Sequence, residues 1–205
     1  MANVNRPIWV VVHSAGGIGS NNLASTRHLT TYDIDRAHKD LWNFKSALGW
    51  YVGYHYVVEA NGKMVQARSE IEEGAHTKGM NTSSIGICWT GNGDVELPTP
   101  EQESRLADLI REVAERWKIP IERIVPHRHF TNSKSCWGNL LSDEWARNLL
   151  TKYSPLPKSP EEKKRKEINI LLQAYNLLLE TLRQWQASRQ LAKALGSSSE
   201  SGREH

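Results

Sequence analysis

Apolar and β-branched residues gather into short runs along the first half of the chain. Ile8-Trp9-Val10-Val11-Val12-His13 is continuous rather than alternating, which predicts a strand buried on both faces. Gly53 to Glu59 predicts a second strand. Asn61-Gly62 is a strong hairpin signal, and Lys63 to Ala67 predicts the returning strand. Ser84 to Thr90 predicts a further one. Elsewhere the spacing is helical. Ile34, Leu41 and Phe44 supply an apolar stripe to a helix running from Thr31, placed to cap it, to about Ala47. Leu106, Leu109, Ile110, Val113 and Trp117 recur behind Thr99-Pro100-Glu101-Gln102, where threonine caps, proline takes the first turn and Gln102 reaches back. Ser142 opens another helix through about Lys152. The Gly- and Asn-rich stretch from Ser14 to Asn22 reads as a loop. Strands alternating with helices, but including a hairpin, predict an α/β domain with a central mixed β-sheet flanked by helices.

Pro155, Pro157 and Pro160 mark a change of organisation. The expected divisions are a domain over 1–154, a proline-containing linker over 155–160, a long C-terminal α-helix over 161–196 and a disordered tail over 197–205. Within the helix, Ile168, Leu171, Tyr175, Leu178, Leu182 and Trp185 alternate by three and four as a heptad seam. Such a seam serves packing on the chain's own domain, self-association through a helical bundle, or docking to a partner. The basic run from Lys163 to Lys166 reads as a solvated face.

Composition narrows these readings little. The 205 residues are 39% hydrophobic and 24% charged, ordinary for a globular protein. A formal net charge of +3 gives no argument for nucleic acid, although it is compatible with approach to an acidic polymer. The apolar run Ile8 to Val12 is too short for a signal-peptide core or a membrane span. The expectation is therefore a protein made in the cytoplasm without a signal peptide.

The two cysteines, Cys88 and Cys136, do not make a disulfide framework. Cys88 lies in a strand-like run and reads as a small buried apolar residue. Cys136 lies in a polar loop behind Pro126-His127-Arg128-His129, and eight residues separate it from His127. Imidazole and thiolate are good zinc donors, and a loop can bring both onto one ion, but this spacing alone is a weak signal. His129 competes with His127 for the role. A lone histidine such as His13, at the end of a buried strand, is more often a satisfied core residue than a ligand. Three donors rather than four point to a catalytic site that keeps one position open.

Taken in order, the blocks Val12-His13-Ser14, Gly53-Tyr54-His55-Tyr56, Gly74-Ala75-His76-Thr77-Lys78-Gly79, Ser84-Ile85-Gly86-Ile87-Cys88 and His127-x8-Cys136 are more specific than any one of them. Over roughly Pro7 to Leu150 the chain resembles the zinc amidases that include phage amidase-type lysozymes and the peptidoglycan recognition proteins. The resemblance implies Zn2+ held by His13, His127 and Cys136, with Tyr54 and Lys134 as catalytic residues. It also assigns His76 to the substrate groove; neighbouring Thr77 and, because flat rings suit sugar faces, Trp137 are added as substrate-binding candidates from this chain's own residues. His55 points to the opposite strand face from Tyr54 and reads as structural.

The implied activity is hydrolysis of the amide between N-acetylmuramic acid and L-alanine in peptidoglycan. The expected settings are a phage or prophage lytic enzyme acting on the wall after release, or a cytoplasmic amidase recycling muropeptides; the docking partner of the 161–196 helix would then be a phage or envelope protein or a membrane surface. Binding of peptidoglycan without cleavage is a third reading, weakened by the retained Cys136. The sequence departs from its relatives where Trp137 stands in place of the usual proline, in the His-Arg-His-Phe continuation, and over residues 16–30. No carboxylate stands out as a general base. Trp50 and Trp89 are further groove candidates that suit core packing at least as well.

Overall fold

The computed structural model describes residues 4–16, 23–131 and 135–153, together with Tyr175, Gln184 and Trp185. Within them run β1 (Trp9–Ser14), α1 (Thr31–Trp42), β2 (Tyr56–Val58), β3 (Met64–Gln66), β4 (Ser84–Trp89), α2 (Pro100–Trp117), β5 (Ile124–Pro126) and α3 (Trp145–Lys152). Short 3-10 turns flank β5 at Ile121–Arg123 and His127–His129. The strands form one mixed sheet in the order β3-β2-β4-β1-β5. Only the β2–β3 pair is antiparallel, joined through the Asn61-Gly62 hairpin; β2–β4, β1–β4 and β1–β5 are parallel. The α/β architecture with a mixed sheet is as the hydrophobic pattern predicts.

Side-chain alternation assigns the two faces of the sheet. Val10 and Val12 of β1, Tyr56 and Val58 of β2, and Ile85, Ile87 and Trp89 of β4 enter the main core with Leu106, Leu109, Ile110 and Val113 of α2 and with Trp145 and Leu149 of α3. Val57 enters a smaller cluster with Ile34 of α1. His13, Gly86 and Cys88 fall on this second face by the same alternation. Helices thus cover both sides, and the α1 side is the less apolar one.

Three boundaries differ from the sequence reading. The cap of α1 is Thr30, not Thr31: the Thr30 N–H and hydroxyl donate to the Asp33 carboxylate at 2.9 and 2.7 Å. Thr31 instead donates its hydroxyl and N–H to Glu59 at 2.8 and 2.9 Å, tying the helix start to β2. The helix also stops at Trp42, because Asn43 turns left-handed (φ 49°) and returns its N–H to the His38 and Lys39 carbonyls. The stripe shifts accordingly. Thr31, Ile34 and His38 are buried, Leu41 is 69% exposed, and Phe44 lies past the helix under the Arg68 guanidinium. Finally, α3 begins at Trp145 rather than Ser142, whose carbonyl accepts the Trp145 N–H in a preceding turn.

The cap of α2 is as expected. Thr99 Oγ1 accepts from the Gln102 N–H at 3.1 Å, and Gln102 Oε1 accepts from the Thr99 N–H at 3.0 Å. The chain divides into two compact units, 1–154 and 155–205. The predicted linker, the extension over 161–196 and the tail fall outside the described residues, except that Tyr175, Gln184 and Trp185 are helical and exposed.

Candidate functional site

In an open α/β sheet, the carboxyl ends of parallel strands are where loops converge and ligands bind. Here β1 delivers His13 near its carboxyl end, 1% exposed and paired in register with Cys88 of β4. The neighbouring β5 ends at Pro126, so His127 opens the 3-10 turn beside it. The loop that follows returns Cys136 to the same point. The donor atoms of His13, His127 and Cys136 all lie within 4.8 Å of one another. Cys136 Sγ is 3.7 Å from His13 Nδ1. A tetrahedral zinc with ordinary Zn–S and Zn–N bonds separates sulfur from nitrogen by about 3.6 Å, so this donor set fits the ion that the sequence implies. His129 does not join it. Its ring packs against Trp9 and Phe130, with centroids at 5.6 and 4.9 Å.

Behind His13 stands a second histidine. His13 Nε2 is 3.1 Å from His76 Nδ1, and Thr77 Oγ1 is 3.0 Å from the same His76 nitrogen. His76 is only 8% exposed. Burial first, then the neighbouring His55, His127 and Arg68, holds it well below the usual histidine range, so it is neutral and has a nitrogen free to accept. Its ring lies flat on backbone: a Cβ on Gly86 would come within 2.5 Å of it, which is why that strand position has no side chain. Asn81 Oδ1 accepts the N–H groups of His76 and Thr77 at 3.0 and 2.9 Å and fixes the segment that carries them. His76 and Thr77 border the cleft; His76 Nδ1 and the Thr77 hydroxyl are engaged with His13 and with each other, whereas His76 Nε2 is buried without a hydrogen-bond partner among the described residues.

Tyr54 packs its ring 4.9 Å from His13. Its hydroxyl is hydrogen-bonded to the buried Cys88 thiol, and burial, with the two cysteines, pushes its pKa well above the usual tyrosine value. His38 lies behind it at 5.4 Å and accepts the Gly53 N–H on Nδ1 at 2.9 Å. Trp42 stacks on His38 at 4.3 Å and is 50% exposed. Trp42, His38, Tyr54 and His13 thus form a continuous aromatic wall. Of these, Trp42, Tyr54 and His13 line a cleft of about 980 Å³ whose lining also includes Lys78, Asp94, Phe130 and Cys136, and His38 is buried behind them.

Trp42, His38 and Asp94 were not singled out from the sequence. His38 and Trp42 are four apart and share a helix face, but the apolar stripe predicted through Ile34, Leu41 and Phe44 points to a different face. Asp94 accepts from the Ser135 hydroxyl at 2.6 Å and the Asn139 N–H at 2.7 Å, bracketing Cys136 from across the cleft. No local pattern signals that role.

Trp137 lies in the core and not in the groove. It is fully buried, lies edge-on to Trp145 at 5.1 Å and donates its indole N–H to the Ser142 carbonyl at 3.1 Å. Successive side chains on this tight loop point opposite ways, so the turn that aims Cys136 at the site aims Trp137 into the core. Trp89 is likewise a fully buried core residue, and Trp50 packs on Tyr32 at 5.1 Å. His55 is structural, as expected. It is fully buried, accepts the Gly86 N–H on Nδ1 at 3.0 Å, and therefore donates Nε2–H to the Glu72 carbonyl at 3.0 Å. Lys134 lies outside the described residues.

Residues 3–139 match the family model described as N-acetylmuramoyl-L-alanine amidase. The chain is 26% identical over 133 residues to peptidoglycan-recognition protein SD of Drosophila melanogaster, covering 63% of this chain and 66% of that protein. It is 31% identical over 108 residues to the endolysin of Escherichia phage T7, covering 50% of this chain and 70% of the endolysin. Among solved structures it resembles the N-acetylmuramoyl-L-alanine amidase LysC from Clostridium intestinale URNW, with a TM-score of 0.58 and 26% identity over 72% of this chain and 87% of that one. With the matched region spanning the sheet, the cleft and the residues that converge there, the chain belongs to the N-acetylmuramoyl-L-alanine amidase family.

Proposed function

We propose that this protein hydrolyses the amide between N-acetylmuramic acid and L-alanine in bacterial peptidoglycan, as a phage or prophage lytic enzyme. The observation that carries the reading is the convergence of His13, His127 and Cys136 at the base of a cleft, with one thiol and one imidazole nitrogen 3.7 Å apart. The endolysins among its relatives support the lytic setting. His13, His127 and Cys136 would hold zinc, which when bound polarises a carbonyl and makes a water acidic enough to ionise near neutrality.

The chain's own groups account for the rest. His76 and Thr77 hold the His13 ring through Nε2, which leaves Nδ1 facing Cys136. Tyr54 keeps its proton at working pH because burial disfavours the phenolate. It therefore acts as a hydrogen-bond donor to the oxyanion that develops on the amide carbonyl, not as a base. Lys134, carried over from the family pattern, would assist that oxyanion or deliver a proton to the departing alanine amine. The aromatic wall ending at Trp42 gives the substrate an apolar surface beside polar loops, a composition suited to a glycopeptide.

The test is incubation of purified sacculi with the zinc-loaded protein. New L-alanine amino termini are expected. New reducing sugars in their place would refute the amidase reading. Cys136→Ser should release neither, and full activity in that variant would refute the ligand assignment.

A further inference from the structure

We infer that Arg128 is a positioning residue that holds His127 and Cys136 in register as a pair before any metal arrives; the inference rests on the reading of these two as ligands. Eight residues separate them in sequence, and a loop that long does not of itself fix the distance between its ends. Arg128 closes it. Its backbone N–H donates to the Cys136 carbonyl at 2.8 Å. Its guanidinium continues along the same strand of loop: Nη1 donates to the Gly138 carbonyl at 2.7 Å and the Ser135 carbonyl at 3.2 Å, and Nη2 donates to the Leu141 carbonyl at 2.7 Å. Nε is anchored on the Asp143 carboxylate at 2.6 Å. The residue directly after one ligand thus grips the carbonyls of the other ligand and of residues on both sides of it.

The opposite side of the loop is held independently. Asp94 takes Ser135 and Asn139, and Leu140 N–H donates to the Gly93 carbonyl at 3.0 Å. The approach there is so close that a Cβ on Gly93 would lie 2.0 Å from the Trp137 carbonyl oxygen. The Cys136 loop is therefore clamped between Arg128 and the Gly93-Asp94 turn. The planar guanidinium, with five donors in a fixed fork, suits several carbonyls at once; a lysine cannot reproduce it. Arg128 touches no donor atom of the metal set and lies in no predicted motif role. Groups that orient ligands from outside the coordination sphere typically control metal affinity by 10–100-fold.

The experiment measures zinc affinity of the full chain by competition with a chromophoric chelator, and thiolate-to-cobalt absorption after cobalt loading. Variants are Arg128→Ala, Arg128→Lys and, as control, Arg111→Lys. Arg111 makes comparable bonds to the Leu150 and Tyr153 carbonyls, away from the cleft. Thermal unfolding of each metal-free protein is recorded alongside. The expected result is a zinc dissociation constant raised at least tenfold in Arg128→Ala and at least threefold in Arg128→Lys, with Arg111→Lys unchanged although its unfolding temperature falls. If Arg128→Ala does not fold, Arg128→Lys decides. Folded Arg128 variants that lose stability but bind zinc within threefold of the parent would overturn the inference, leaving the arginine a general staple. A parent protein with no thiolate-to-cobalt band would overturn the ligand reading itself, and this inference with it.

Discussion

His76 Nδ1 sits 3.1 Å from His13 Nε2, so one histidine of the sequence motifs orients another. The His13 ring has its other nitrogen 3.7 Å from the Cys136 thiol, which leaves Nε2–H to be accepted by neutral His76. His76→Ala should lower zinc affinity roughly 10–100-fold, the usual effect of removing an outer hydrogen-bond partner of a ligand. Chelator competition measures it. Unchanged affinity alongside a raised KM would return His76 to a substrate-contacting role.

Tyr54→Phe removes the hydroxyl and keeps the ring that packs on His13 at 4.9 Å. The fold and the zinc content should be preserved. The loss should fall on kcat, by roughly 10²–10³-fold for one donor to a developing oxyanion, with KM nearly constant. Steady-state kinetics on a soluble muropeptide distinguish this from a packing role. A kcat within a factor of about three of the parent's would refute the donor assignment.

Trp42 is half exposed at the far end of the aromatic wall and is removed from the metal-compatible donors by His38 and Tyr54. Trp42→Ala should raise KM several-fold and leave kcat and zinc affinity close to the parent's. That pattern marks binding that is equal in ground and transition states. A fall in kcat with constant KM would mean that Trp42 acts by shaping the position of Tyr54.

The buried histidines make stability depend on pH in a defined window. Burial first, partly offset by the Glu72 carbonyl, lowers the His55 pKa to about 4; burial likewise lowers His38 to about 4. In the unfolded chain both take up a proton near pH 6.5. Stability from these groups is therefore complete above about pH 6.5 and is lost as the pH falls towards 4, on the order of 3 kcal/mol for each. Glu70 adds to the loss at lower pH. Burial alone would raise it, but hydrogen bonds from Tyr56, Trp117 and Arg116 outweigh that and hold it below its usual value. Urea midpoints at a series of pH values should fall across this range. His55→Gln should be less stable at pH 7 but show a shallower decline; an unaltered decline would refute the assignment.

Local physics made much of this protein legible in its sequence. Continuous β-branched runs, the Asn61-Gly62 turn and the Thr99–Gln102 capping box each depend on neighbours within a few residues, and the sheet and α2 follow from them. His13, His127 and Cys136 are legible as donors only through the family resemblance that the ordered motifs carry; residue type alone reads His13 as a core histidine and leaves His129 competing with His127. What only the tertiary structure decided is every relationship across long separations. His76 meets His13 because β4 places Gly86 beneath its ring. Trp137 turns into the core because Cys136 must turn out of it. Asp94 and Arg128 grip a loop from opposite sides. Trp42 joins the cleft because Asn43 ends α1 early by turning left-handed. Hydrogen bonds and ring contacts of this kind are set by the packing of distant segments, and hydrophobic periodicity carries no record of them.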